Sequence, residues 1–154
     1  MSVRVIALVD DESDPLVTLA KDYVARTGRR YGLTLHILKP KKRAASADDK
    51  RVKADEGALL LEKSEGTTRV ALDAGGKTFT SEAFTERLET LLQRGRDVSF
   101  LVGGATGLSE AVKSTVAETW SLSSLTMPHK LALLVVCEQI YRAHEIARGG
   151  PYHK

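Results

Sequence analysis

Two sets of residues in this sequence have the chemistry of a ligand-binding site. The first is three loops that each follow an apolar run: Leu72-Asp73-Ala74-Gly75-Gly76-Lys77, Gly103-Gly104-Ala105-Thr106-Gly107-Leu108 and Leu122-Ser123-Ser124-Leu125-Thr126-Met127-Pro128. Glycine allows positive φ and close approach of backbone to a ligand, so such loops can read the edge of a base with main-chain donors and acceptors. The second loop lacks the G-x-G-x-x-G spacing of a dinucleotide site, and no Gly-Lys-Ser/Thr follows it as in a phosphate loop. Taken alone, its glycines need only make a tight strand-to-helix turn. The hydroxyls of the third loop need only cap the next helix, with Ser124 or Thr126 at the cap.

The second set is Arg142 with Tyr152, His153 and Lys154. Arginine neutralises phosphate or a developing anion, and tyrosine stacks on an unpaired base. His153 is the tail group that titrates near neutral pH. Taken alone, Tyr-His-Lys after Gly149-Gly150-Pro151 is an ordinary chain end. His129, after Pro128, reads as a cap-region residue at a helix start, and His36 and His144 have no partners at metal-ligand spacing, so no metal is expected. The single cysteine, Cys137, excludes an internal disulfide and sits in an apolar helical run, where it is expected as a small buried hydrophobe.

The elements that must position these residues follow from periodicity and punctuation. Val3 to Val9 reads as a buried strand, and Asp14 caps a helix opened by Pro15, with Leu16, Leu19, Ala20, Tyr23 and Val24 on one face. Gly28 or Gly32 ends that helix. Leu33 to Leu38 reads as a second strand closed by Pro40, and Ser46 caps a second helix reaching Lys63. A third strand spans Arg69 to Asp73, with Ala74-Gly75-Gly76-Lys77 as a turn. Thr80 or Ser81 caps a helix to about Arg94, and Val98 to Val102 is a fourth strand. Ser109 to Val116 is a short helix and Trp120 to Leu122 a short strand. A final helix follows Pro128 and His129 and ends near Arg148.

Strands alternating with helices predict an α/β fold, a parallel sheet with helices on both faces. The length of 154 residues fits one domain, residues 1–154, without linker or repeat. Hydrophobic content of 42% with 28% charged residues is that of a globular chain. No apolar run is long enough for a membrane span or a secretory signal, so the expected location is cytoplasmic. The net charge of +3 is compatible with nucleic acid. Lys39, Lys41, Lys42, Arg43, Lys50, Arg51 and Lys53 crowd one region, which reads as a solvated face or as a phosphate contact.

The glycine turn, the segment from Trp120 to His129, Tyr141-Arg142-Ala143 and Pro151-Tyr152-His153, in this order and spacing, resemble the bacterial large-subunit rRNA methyltransferase H family of the SPOUT class. The resemblance is strong from Asp97 onwards and only patterned before Arg69. It implies a trefoil knot near the C-terminus and S-adenosylmethionine (SAM) as cofactor, held by Leu72, Gly104, Ser123, Ser124, Leu125, Thr126, Met127 and Pro128. It implies catalytic or RNA-orienting roles for Arg142, Tyr152 and His153. The implied reaction is N3-methylation of a pseudouridine in a 23S rRNA hairpin loop of assembled ribosomes, by a homodimer in which the tail of one subunit lies near the cofactor of the other. One departure stands out: the family usually has Gly-Gly-Pro-Glu-Gly-Leu, whereas this chain has Ala105-Thr106 in place of Pro-Glu. That change motivates an alternative, a non-catalytic relative that binds the ribosome or another RNA. A further alternative is a SPOUT methyltransferase acting on tRNA.

Overall fold

The computed structural model describes residues 1–40 and 48–154 of the chain. Five strands and five helices alternate: β1 (Val3–Leu8), α1 (Pro15–Arg26), β2 (Thr34–Leu38), α2 (Asp49–Lys63), β3 (Thr68–Thr78), α3 (Ser81–Leu92), β4 (Val98–Val102), α4 (Glu110–Thr115), β5 (Glu118–Ser121) and α5 (His129–Ala147). The strands form one sheet in the order β2-β1-β4-β3-β5, with parallel pairing throughout.

Side-chain alternation along the strands splits the core in two. Val3, Val5, Ala7, Val98, Phe100 and Val102 face one side, where Val17 and Ala20 of α1, Leu88 and Leu91 of α3, and Leu133, Val136, Cys137 and Ile140 of α5 cover them. Ile6, Leu8, Ala71 and Leu101 face the other side, under Leu60 of α2 and Val112 of α4. The expected parallel sheet with helices on both faces is therefore what forms. Every residue of β4 is buried, the pattern of a central parallel strand. Among the described residues, no helix is long and apolar enough to cross a membrane.

Local chemistry accounts for most boundaries. Asp14 Oδ1 accepts from Leu16 N at 2.9 Å and Pro15 occupies the first turn of α1, as expected. Thr27, rather than a glycine, closes that helix. Thr80 Oγ1 caps α3 by accepting from Ala83 N at 3.1 Å. The helix α2 starts behind Asp48, which accepts from Arg51 N at 2.8 Å; the expected cap Ser46, and the basic residues Lys41, Lys42 and Arg43, lie outside the described residues.

Two expectations fail for non-local reasons. Ala74-Gly75-Gly76-Lys77 is not a turn that ends β3. The strand pairs Leu72 with Trp120, leaves the ladder, and returns to pair Lys77 with Trp120 and Thr78 with Ser121. The return to β5 overrides the local Gly-Gly signal. β5 itself starts earlier than expected, at Glu118. Glu118 is held by the guanidinium of Arg87 on α3 and accepts from Trp120 Nε1 at 2.9 Å.

Trp120 is the hub of an aromatic cluster, with ring centroids 4.8 Å from Phe79, 5.1 Å from Phe84 and 5.4 Å from Phe100. Its packing joins β5 to the centre of the sheet. Trp120→Ala should lower stability by about 3–5 kcal/mol, measured by denaturant unfolding. A loss below about 1 kcal/mol would show that the cluster is not what fixes β5.

Candidate active site

Strands β4, β3 and β5 lie side by side and run the same way, so the loops after β4 and β5 and the excursion of β3 after Leu72 meet at one end of the sheet. There they enclose a cavity of about 390 Å³. Leu72, Asp73 and Ala74 form one wall, and Val102 to Ala105 with Gly107 and Leu108 a second. Ser121 to Ser123 and Leu125 to Pro128 form the third, closed by His129 and Ala132 of α5. Of the residues expected to hold a cofactor, Leu72, Gly104, Ser123, Leu125, Thr126, Met127 and Pro128 line the cavity. Ser124 does not: it belongs to the same loop but is exposed and absent from the wall.

The glycine turn is closed by backbone alone. Gly107 N donates to Gly104 O at 3.0 Å, and Gly107 has φ +82°, the left-handed region that favours glycine. A Cβ at Gly104 would stand 2.8 Å from Glu56 Oε2 of α2, so a side chain there requires the Glu56 carboxylate to shift. Ala105 is exposed along the cavity wall and Thr106 is half-buried, and the Gly107–Gly104 bond closes the turn with these two residues in place of Pro-Glu.

The third loop is shaped by its own hydroxyls rather than by capping. Ser121 Oγ donates to Ser123 O at 2.8 Å, and Ser123 Oγ accepts from Leu125 N at 3.0 Å. The residue at the N-cap of α5 is Pro128, which makes no side-chain bond, so neither Ser124 nor Thr126 serves as the cap. Leu125 is 77% exposed at the rim. Lys130 bridges from the start of α5 to Asp10 at 3.0 Å and Asp14 at 3.5 Å, tying the cavity's edge to the loop after β1. The hydrogen bond from Lys130 holds the Asp10 carboxyl below its usual range.

The walls combine apolar residues and glycines with Ser121, Ser123, Thr126 and His129, and Asp73 is the single carboxylate among the lining residues. Asp73 Oδ2 accepts from Gly75 N at 3.0 Å, and Lys113 Nζ lies 3.7 Å from Oδ1. Burial, followed by the neighbouring Lys130, lowers the pKa of His129. The sequence read His129 mainly as a helix-start residue, yet it forms part of the wall. Val102 and Ala132 were not singled out at all. The available signal was that Ala132 lies three residues after His129, on the same helical face.

The second set of residues assembles elsewhere. Arg142 lies about 20 Å along α5 from His129 at a rise of about 1.5 Å per residue. Its guanidinium pairs with Glu138 Oε1 at 2.6 Å, touches His153 Nδ1 at 3.0 Å, and stands 4.8 Å from the Tyr152 ring centroid. The Tyr152 ring meets Tyr141 edge-on at 4.7 Å, and burial, together with Tyr23 and Glu138, pushes its hydroxyl pKa up. Arg142, Tyr152 and His153 thus come together as one group and not as a frayed end, but none of them lines the cavity. Lys154 is exposed. Cys137 is buried in the core, and burial pushes its thiol up to about 12. His36 lies on β2, and His144 is buried edge-on to Tyr31 at 5.4 Å. Among the described residues, no three His, Cys, Asp or Glu side chains gather as a metal site.

Introducing bulk and charge at the turn should empty the cavity of ligand without unfolding the sheet. Gly104→Glu is expected to abolish SAM binding by calorimetry while leaving the circular dichroism spectrum unchanged. Unchanged affinity would remove this loop from the binding site.

Similarities to known proteins agree with this geometry. A family model described as "Predicted SPOUT methyltransferase" matches residues 1–153. A protein named ribosomal RNA large subunit methyltransferase H from Methylococcus capsulatus is 41% identical over 135 residues, 87% of each chain. One of the same name from Anaeromyxobacter sp. (strain Fw109-5) is 39% identical over the whole of both chains. Among solved structures, a methylase family protein from Haemophilus influenzae Rd KW20 shares the fold at a TM-score of 0.61, with 11% identity, over 99% of this chain and 70% of that one. A Legionella pneumophila methyltransferase solved with bound SAM aligns at a TM-score of 0.54 and 9% identity, over 93% of this chain and 66% of that one. The chain belongs to the SPOUT methyltransferases, in the ribosomal RNA large subunit methyltransferase H family.

Proposed function

We propose that the protein is a SAM-dependent methyltransferase that modifies N3 of a pseudouridine in a 23S rRNA hairpin loop of assembled ribosomes. One observation carries the reading. The segment of β3 that leaves the ladder after Leu72 and the loops after β4 and β5, all three picked out in the sequence as cofactor loops, wall a single cavity whose volume falls in the usual range for a small organic ligand. Full-length relatives named for large-subunit rRNA methylation supply the substrate class.

The cavity fits SAM in kind. Backbone at Gly104 and the loop from Ser123 to Pro128 would hold the base and ribose, and Leu72 would pack against them. Asp73 is the carboxylate available to a cationic ligand. When bound, SAM supplies an electrophilic methyl group. The protein's own task is to place a uridine nitrogen in line and to exclude water. N3 carries a proton that must leave before or during transfer. Arg142 and His153 are the groups placed to stabilise the resulting anion or to take the proton, and Tyr152 to stack on the base.

A site made from one chain would be incomplete, because the tail group and the cavity sit at separate points along α5. A homodimer in which one subunit's tail meets the other's cavity completes it, in accord with the resemblance. The apolar α5, partly open along Leu131, Leu134 and Val135, suits a helix that packs on a second copy. The trefoil knot and the cytoplasmic location are carried as parts of the same proposal. The closed Gly104–Gly107 turn favours the catalytic reading over a non-catalytic relative, since the Ala105-Thr106 change does not open it.

Mixing two inactive variants tests this reading. Gly104→Glu removes the cavity's function, and a chain lacking residues 151–154 removes the tail's. Each alone should be inactive on ribosomes, whereas an equimolar, re-equilibrated mixture should recover about a quarter of the wild-type rate, one intact composite site per heterodimer. No recovery from variants that exchange subunits would overturn the composite site.

A further inference from the structure

The tail is held by two carboxylates that belong neither to the cavity nor to the tail itself. Glu138 Oε1 accepts from Arg142 Nε at 3.1 Å, from Arg142 Nη2 at 2.6 Å and from the Tyr152 hydroxyl at 2.9 Å. Its other oxygen accepts from Gln139 Nε2 at 2.6 Å, and Gln139 Oε1 accepts from Ser81 Oγ at 2.7 Å, the first residue of α3. The next residue, Glu82, places Oε1 2.7 Å from His153 Nε2. The bonds therefore run from α3 through α5 to the tail and back to α3.

These partners decide which nitrogen of His153 carries the hydrogen. A guanidinium only donates, so Nδ1, 3.0 Å from Arg142 Nη1, accepts. An ionised carboxylate only accepts, so Nε2 carries the hydrogen and donates it to Glu82. Both ring nitrogens are engaged, and the Nδ1 lone pair is directed at Arg142. Arg142 uses one N–H on each of its three nitrogens in these contacts. One N–H remains on each terminal nitrogen, enough to meet a uridine oxygen or a phosphate.

We propose that Glu138 and Glu82 are positioning residues that hold His153 as its Nε2–H tautomer and aim Arg142 at the substrate, so that Arg142 stabilises the uridine anion and His153 does not take the N3 proton. The N3–H bond breaks first, its proton passing to bulk water before the site closes and its electron pair staying on N3; that pair then forms the bond to the methyl carbon as the carbon–sulfur bond of SAM breaks, its electrons returning to sulfur to leave the neutral thioether. The proposal rests on the reading of the tail as the RNA-facing part of a composite site.

The test begins with long-range proton–nitrogen NMR of the full-length protein labelled in its histidine rings. The expected result at neutral pH is a bare Nδ1 and a protonated Nε2 for His153; the opposite tautomer overturns the proposal. Single-turnover methylation of unmodified ribosomes follows. Glu138→Gln should lower the transfer rate at least about tenfold while SAM affinity, measured separately, stays within about twofold. Glu82→Ala should also slow transfer, and Glu82→Gln, which keeps an acceptor in place, should restore most of it. Full turnover by both Glu138→Gln and Glu82→Ala, or SAM affinity falling in parallel with rate, overturns the positioning role. Absence of transfer by the wild-type protein would instead sink the functional reading, while an Nδ1–H tautomer in an active wild type would sink this inference alone.

Discussion

Parallel pairing of β4, β3 and β5 is the constraint on which the rest of the molecule depends. Because neighbouring strands run the same way, the loops after β4 and β5 and the break in β3 after Leu72, far apart in sequence, are forced into one cluster. The pairing is anchored by the full burial of β4 and by Trp120 wedged against Phe84 and Phe100. A shift of β5 by one residue would turn Trp120 out of the core and carry the Ser121–Pro128 segment away from the glycine turn. The cavity is thus a consequence of strand order and register more than of any individual side chain.

The long helix α5 then couples two pieces of chemistry that it also keeps apart. Its first turn contributes His129 and Ala132 to the cavity. Its distal half carries Glu138 and Arg142, onto which the tail folds. Between these points Leu133, Val136, Cys137 and Ile140 are buried against the sheet, so the helix acts as a rigid spacer. A rigid spacer cannot bring its own tail to its own cavity. In the proposed homodimer a second copy would solve this geometric problem and would enlarge the RNA-facing surface in the same step.

Much of this was legible in the sequence, for a stated reason in each case. Strands β1 and β4 are apolar except for Arg4 and Ser99 because they are covered on both faces, and Asp14 and Thr80 announce their helices through local capping chemistry. The three loops could be read as a site because strand ends in parallel sheets converge. What escaped was set by distant partners. The return of β3 at Lys77 depends on β5, and the early start of β5 on Arg87. The absence of a side-chain cap on α5, the exposed place of Ser124 and the wall positions of Val102 and Ala132 follow from three-dimensional packing that periodicity does not encode. The tail residues were recognised, but not Glu138 and Glu82, which hold them. Glu82 lies 71 residues before His153, and only folding makes them neighbours.

A methyl donor held in this cavity would meet a ribosomal uridine if the proposed function is right. The direct measurement is methyl transfer from labelled SAM to ribosomes lacking the modification, with free rRNA and tRNA in parallel and the labelled nucleotide mapped. The account predicts label at N3 of a pseudouridine in a 23S rRNA hairpin loop, with assembled ribosomes as the preferred acceptor. Label confined to tRNA, or no transfer to any RNA by a protein that binds SAM, would contradict it.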